Sequence, residues 1–156
     1  MLKLDKFDLK LLQVVQENNL LTSDQLASRV HLSGASCLRR LKRLRKQGVI
    51  SEDTAVVNPE AAGIGLMSIV LVSLERERLD TLERFKEAML RAPEVVQCLY
   101  VTGDVDFVLM VAAADMSAYE TFTQRILFSN KNVRRFTTLV VMKRVKFGTT
   151  IPIKTG

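Results

Sequence analysis

Thr22 to Gly48 reads T-S-D-Q-L-A-S-R-V-H-L-S-G-A-S-C-L-R-R-L-K-R-L-R-K-Q-G. Two helix starts lie inside this stretch. Thr22 with Gln25 three residues on makes a capping box, which predicts a short helix over Ser23–Arg29 that buries Leu26 and Val30. His31 and Leu32 follow as a turn, with His31 read as a plain turn residue. Ser33 then caps a longer helix that runs to Gln47, where Gly48 supplies the stop. A short helix, a tight turn and a longer basic helix form a helix-turn-helix.

The longer helix has two unlike faces. Cys37, Leu41 and Leu44 fall together at helical period, with Leu38 at their edge, and are expected to pack inward. Ala35, Arg39, Lys42, Arg43 and Lys46 point the other way, flanked by Ser36 and Arg40. From Arg39 to Lys46 there are six basic residues and no acid. Such a helix repels itself unless something anionic meets it, the plain alternative being a solvated amphipathic helix. Small residues at its start (Gly34, Ala35, Ser36) allow close approach to a groove floor, and cations behind them suit phosphates. The expected contacts to double-stranded DNA are therefore Ser33, Ala35, Ser36, Arg39, Arg40, Lys42, Arg43 and Lys46. Arg39 and Arg43 are read as entering the major groove, with Arg40, Lys42 and Lys46 mostly on phosphates.

Upstream, Asp5 can cap a first helix whose apolar positions Phe7, Leu11, Leu12 and Val15 repeat at three and four, ending at Asn18-Asn19. Residues 1–50 thus make the expected DNA-binding domain. Val49-Ile50 and Ala55–Val57 read as short extended pieces in or beside a linker over 51–65. Residues 66–153 then give strand (Leu66–Leu74), helix (Leu79–Arg91), strand (Val95–Thr102) and strand (Asp106–Ala113). A helix capped by Asp115 and burying Ala118, Phe122 and Ile126 follows, and a last strand runs Val133–Phe147. The order βαββαβ predicts an α+β, ferredoxin-like domain: an antiparallel sheet with both helices on one face. Val70, Val72, Leu109, Val111, Leu139 and Val141 are assigned to the other face, with a second copy of the chain as their cover. On the last strand, alternation would set Lys143 opposite Arg144 and Lys146. Arg76, Arg78 and Arg84, interleaved with Glu75, Glu77 and Glu83, read as solvated surface.

The 156 residues carry 23 Lys+Arg against 17 Asp+Glu, a net charge of +6, which suits a polyanionic partner. After Glu120 there are eight basic residues and no acid. One histidine and two distant cysteines support neither a metal site nor a disulfide framework, and no convergent nucleophile, base and oxyanion donor is present; no enzyme and no cofactor is expected. Cys37 and Cys98 both read as small core residues. No apolar run is long enough for a membrane helix, no apolar signal region is seen, and a cytoplasmic location is expected.

Several stretches taken together resemble the bacterial and archaeal Lrp/AsnC regulators over residues 4–153. They are L-D-K-F-D-L-K-L-L-Q at Leu4–Gln13, L-A-S-R-V-H-L-S at Leu26–Ser33 and R-L-K-R-L-R-K-Q-G-V-I at Arg40–Ile50. V-T-G-D-V-D-F-V-L-M-V at Val101–Val111 follows, then T-T-L-V-V-M-K-R-V-K at Thr137–Lys146 and T-T-I-P-I at Thr149–Ile153. Gly34 stands where that family often has proline, and Arg45 where it often has an acid.

The resemblance implies a winged or extended helix-turn-helix reader joined to an effector-binding and oligomerisation module. It also implies dimers built into tetramers or octamers, with a free amino acid bound between dimers. By position, the effector loop would be Thr102, Gly103, Asp104 and Asp106, with Thr137 and Thr138 from a neighbouring subunit. Taken by itself, Gly103-Asp104 can equally be a plain hairpin turn. The implied function is a sequence-specific transcriptional regulator answering to an amino acid. The rival is an architectural DNA-binding protein that senses nothing.

Overall fold

The computed structural model describes residues 3–75 and 79–154. Its chain divides into two compact units, residues 1–56 with 146–156, and residues 57–145. The expected division placed 146–153 in the second domain. The tail instead packs with the first unit: Gln13 Nε2 donates to the Ile153 carbonyl at 2.7 Å, and Ile151 N–H donates to Gln16 Oε1 at 2.9 Å. Ile153 is half-buried against that unit's core.

In the first unit α1 spans Lys6–Glu17, α2 Ser23–Val30 and α3 Gly34–Lys46. Each start is fixed by a side chain. Asp5 accepts from the N–H groups of Phe7 and Asp8, and Asp8 reaches back to the Asp5 N–H, completing a capping box. Thr22 and Gln25 form a second, and Ser33 accepts from the Ser36 N–H. Leu11, Leu12, Val14, Leu26, Val30, Cys37, Leu41 and Leu44 make the core. Side chains of this size stabilise by about 1.5–3 kcal/mol each when fully buried. Leu38, at the edge of the apolar face, is exposed. Val49-Ile50 and Ala55–Val57, expected as extended pieces, form no strand.

The α2–α3 turn is tight because His31 adopts φ 59° and ψ 46°, the left-handed conformation usually given to glycine or asparagine at a helix end. Its N–H and that of Leu32 both donate to the Ala27 carbonyl. Gly34 serves a different purpose. A Cβ there would sit 3.1 Å from Cβ of Ser23, so the small residue lets α3 start directly against α2.

The second unit begins with a short 3₁₀ turn, Glu60–Ala62, followed by β1 Leu66–Leu74, α4 Leu79–Arg91, β2 Val95–Tyr100 and β3 Phe107–Ala113. Helix α5 covers Met116–Phe122 and continues as a π-helical segment, Thr123–Phe128, before β4 Val133–Val140. The four strands form one antiparallel sheet in the order β2-β3-β1-β4, the ferredoxin-like arrangement. The expectation for Arg76, Glu77 and Arg78 lies outside the described residues.

Three local expectations are corrected. The helix after Asp115 was expected to bury Ile126, four residues beyond Phe122. The wider π turn moves the inward position one residue on, so Leu127 is 1% exposed and Ile126 only half-buried. The last strand was expected to reach Phe147 but ends at Val140. Its pairing with β1 runs to Ser68 opposite Val140, and the Val141 N–H on the Met67 carbonyl closes the ladder one residue from the start of β1 at Leu66. Lys143, Arg144 and Lys146 therefore lie beyond the strand, and the alternation argument does not apply to them. Cys98, expected in the core, is exposed on strand β2.

On β1 and β3 the two sheet faces are the reverse of those expected. Val70, Val72, Leu109 and Val111 are fully buried in the core with Leu82, Phe85 and Met89 of α4 and Tyr119 and Phe122 of α5. They lie under the helices. The face without helices carries Ile69, Leu71, Val108 and Met110, their register neighbours Leu99 and Leu139, and Thr137. Leu99 and Leu139 remain 53% and 48% exposed. An apolar face still stands open, and Leu139 lies on it as expected, but β1 and β3 present their alternate residues there.

Candidate nucleic-acid interface and effector loop

The basic helix α3 is less uniformly free than its sequence implies. Asp8 is a carboxylate 1% exposed, and it accepts from Arg40 Nη1 at 2.8 Å and from Arg43 Nη2 at 2.6 Å. Arg40 Nη1 also donates to Asp5 at 2.7 Å, and its guanidinium lies 5.6 Å from the Phe7 ring centroid. These carboxylates hold the Arg40 guanidinium firmly in its charged form. The Asp8 N–H, then the Arg40 guanidinium, in turn keep the Asp5 carboxyl below its usual value. Arg40, expected on a phosphate, thus spends its charge on α1, and Arg43 is anchored there at one nitrogen.

Arg45 is committed elsewhere. It donates to Asp53 through Nε at 2.7 Å and through Nη2 at 3.2 Å, and Nη2 also meets Asn19. Asp53 is held below the ordinary carboxylate value by Arg45 first and by Asn19 after it. The acids missing from the helix itself are supplied by residues 5, 8 and 53.

What remains is one stripe. Arg39, Lys42 and Lys46 are exposed, and among the described residues none of them pairs with an acid or accepting group. With exposed Ala35 they follow a spacing of four, three and four, which keeps them on one side of α3. Ser33 uses its hydroxyl as the helix cap, and half-buried Ser36 supplies the N–H that it binds.

The β2–β3 connection is built around Gly103, whose φ of 132° suits glycine alone. Thr102, Gly103 and Asp104 are exposed. The Asp104 backbone carbonyl accepts from Ser73 Oγ, and its carboxylate meets no partner among the described residues. Asp106 is different. Its Oδ2 accepts from the Leu74 N–H at 2.6 Å, and its own N–H donates to the Val72 carbonyl. That carboxylate latches the loop onto β1.

Thr137 and Thr138 face opposite ways, because successive strand residues alternate. Thr137 is exposed on the helix-free face, whereas Thr138 shares a 2.5 Å hydrogen bond with the Tyr119 hydroxyl beneath the helices. Both were expected in one effector site, and the sheet separates them. Alternation relative to Phe136 in the sequence contains this signal. The D-x-x-D spacing at Asp5 and Asp8 likewise announces the capping box. The Asp8–Arg40 pairing has no such local sign.

A helix-turn-helix whose second helix presents a cationic stripe, carried on the same chain as a ferredoxin-like sheet, defines a DNA-binding transcriptional regulator with a separate ligand-binding module. The winged helix-turn-helix DNA-binding family model matches residues 4–51, and the Lrp/AsnC ligand binding domain matches residues 67–151. The chain belongs to the Lrp/AsnC family of transcriptional regulators.

It is 50% identical over 153 residues to an uncharacterized HTH-type transcriptional regulator of Sinorhizobium fredii, covering 98% of this chain and 90% of that one. It is 38% identical over 143 residues to the leucine-responsive regulatory protein of Haemophilus influenzae, covering 92% and 86%. Its fold superposes with a TM-score of 0.89 on a transcriptional regulator from Neisseria meningitidis solved as a complex with L-Met. That pair shares 38% identity, covering 96% of this chain and 97% of the other. These relatives and domains are those of regulators, not of enzymes. Among the described residues no helix is long and apolar enough to cross a membrane.

Proposed function

We propose that this regulator binds specific duplex DNA through the Ala35–Arg39–Lys42–Lys46 side of α3, and that a free amino acid modulates it from the second unit. The observation that carries the effector reading is the β2–β3 loop. Gly103 opens the backbone for a carboxylate to approach N–H groups, while the unspent carboxylate of Asp104 offers a partner to an α-ammonium. The L-Met complex of the Neisseria relative and the name of the leucine-responsive relative make methionine and leucine the first candidates.

A second copy covers the open sheet face, since Ile69, Leu71, Met110 and Leu139 form a continuous apolar surface there. Thr137, on that same face, belongs to the surface between copies, and the amino acid sits where dimers meet. The ligand acts by binding one assembly more tightly than another, as any shift of an equilibrium requires. Cytoplasmic action follows from DNA as the partner.

Thermal unfolding of the full chain against the twenty amino acids tests the reading. A ligand at about 100 times its dissociation constant adds roughly 2.7 kcal/mol of stability. The expected result is a rise with methionine or leucine that disappears in Asp104→Asn. A flat response to all twenty, with equal affinity for promoter and random DNA, identifies the architectural protein instead.

A further inference from the structure

We propose that Asp8 is a positioning residue for DNA recognition: it draws Arg40 and Arg43 back onto α1 and confines contact with DNA to the stripe Ala35, Arg39, Lys42 and Lys46. This inference rests on the reading of α3 as the DNA-contacting helix and asks which of its cations do the contacting.

The geometry is specific. Both carboxylate oxygens of Asp8 are used. Oδ1 takes Arg40 Nη1, and Oδ2 takes Arg43 Nη2 together with the Asp5 N–H. Asp8 is 1% exposed, so its charge is not dissipated in water, and removing one partner of a buried pair leaves an uncompensated charge. Arg40 is further enclosed. Its side chain is 21% exposed, Asp5 holds the same nitrogen, the Phe7 ring lies against the guanidinium, and Nε is buried without a hydrogen-bond partner. A guanidinium so held has little left to offer a phosphate.

Arg43 differs in degree. Its side chain is 45% exposed and only Nη2 is committed, so Asp8 restrains its position while part of the group faces solvent. Lys42 lies between these two arginines in sequence yet pairs with nothing among the described residues. Neighbouring cations on one helix are thereby sorted by a residue about 35 positions upstream.

The functional consequence concerns specificity. Every cation available to phosphates adds sequence-independent affinity and steepens the salt dependence of binding by roughly 0.9 in slope per phosphate contact. Holding Arg40 and Arg43 against α1 lowers nonspecific binding, so a larger share of the affinity for an operator comes from base contacts. Arg39, the cation of the stripe nearest the helix start, is the side chain placed to make one.

The test is the slope of log affinity against log salt for the full-length protein on a mixed-sequence DNA duplex, followed by fluorescence anisotropy. Lys42→Ala is expected to make the slope shallower by roughly 0.9 for each subunit in contact. Arg40→Gln is expected to leave it unchanged, although the protein melts lower. Asp8→Asn keeps the shape and one acceptor but loses the charge. It is expected to steepen the slope by about 0.9 per subunit as Arg43 is released, Arg40 staying with Asp5, while Asp8→Glu restores the parent slope.

A purely structural Asp8 would change melting and leave the slope alone, and that outcome overturns the proposal. So does an Arg40→Gln slope as shallow as that of Lys42→Ala, a measurement that stands even where Asp8→Asn fails to fold. An unaltered chain that binds no duplex at any salt concentration overturns the DNA-contact reading of α3, and the role of Asp8 with it.

Discussion

Replacing His31 by glycine should make the helix-turn-helix unit more stable. His31 is exposed, makes no side-chain hydrogen bond or ion pair, and is the only non-glycine with positive φ among the described residues. The left-handed conformation costs an L-residue about 1–2 kcal/mol, toward the lower end for short polar and imidazole side chains. Glycine removes that strain, but the more flexible unfolded chain takes back about 0.4–1 kcal/mol. The net gain is about 0–1 kcal/mol. For a unit of this size, 1 kcal/mol corresponds to about 4–8 °C in Tm, so a rise of up to about 8 °C is expected. Calorimetry of the full chain measures it, and hydrogen exchange of the α2 and α3 amides assigns it to this unit. His31→Val, β-branched at the same backbone angles, should fall in Tm. If His31→Gly unfolds at a lower temperature than the parent, the imidazole contributes more than the backbone strain removes, and the reading of His31 as a plain turn residue fails.

Gly65→Ala places a methyl group 2.8 Å from the Ala114 carbonyl oxygen, the same atom that accepts the Gly65 N–H. The backbone must shift, and urea unfolding should show a loss of about 1–3 kcal/mol; an unchanged midpoint would mean that the two segments separate there without cost. Acid should weaken the first unit through Asp5 and Asp53. Both carboxyls lie below the ordinary 3.8 when folded, so the stability they contribute is present above that value and is lost as pH falls through the lowered ones. An acid titration followed by circular dichroism should show a shallower loss in Asp53→Asn than in the parent. Identical acid limbs would remove the Arg45–Asp53 pair from the account.

Much of the fold was legible because its signals are local. Thr22 with Gln25, Ser33, Asp5 and Asp115 each announce a helix start within three residues, and each cap is present. Strand β1 and helix α4 begin and end where period and composition place them. The errors arose where a residue's state depends on a distant partner. Cys98 looks like core until β2 proves to be an edge strand, and Val133–Phe147 looks like one strand until β1 runs out beside it. Ile126 yields its buried place to Leu127 because the helix widens to a π turn, which no apolar period declares.

The site divides in the same way. A helix-turn-helix with six cations on its second helix and a glycine-centred loop in a ferredoxin-like module are written in the residue order, since period, capping and chirality operate between near neighbours. Folding in three dimensions settles which cations are spent: Asp5 and Asp8 take Arg40, Asp8 also holds Arg43, Asp53 takes Arg45, and among the described residues Arg39, Lys42 and Lys46 are left. It also turned Thr138 inward to Tyr119 and bound Asp106 to β1. Charge acts through space, and folding brings a carboxylate of the first helix within hydrogen-bond reach of the third, which no spacing along the chain encodes.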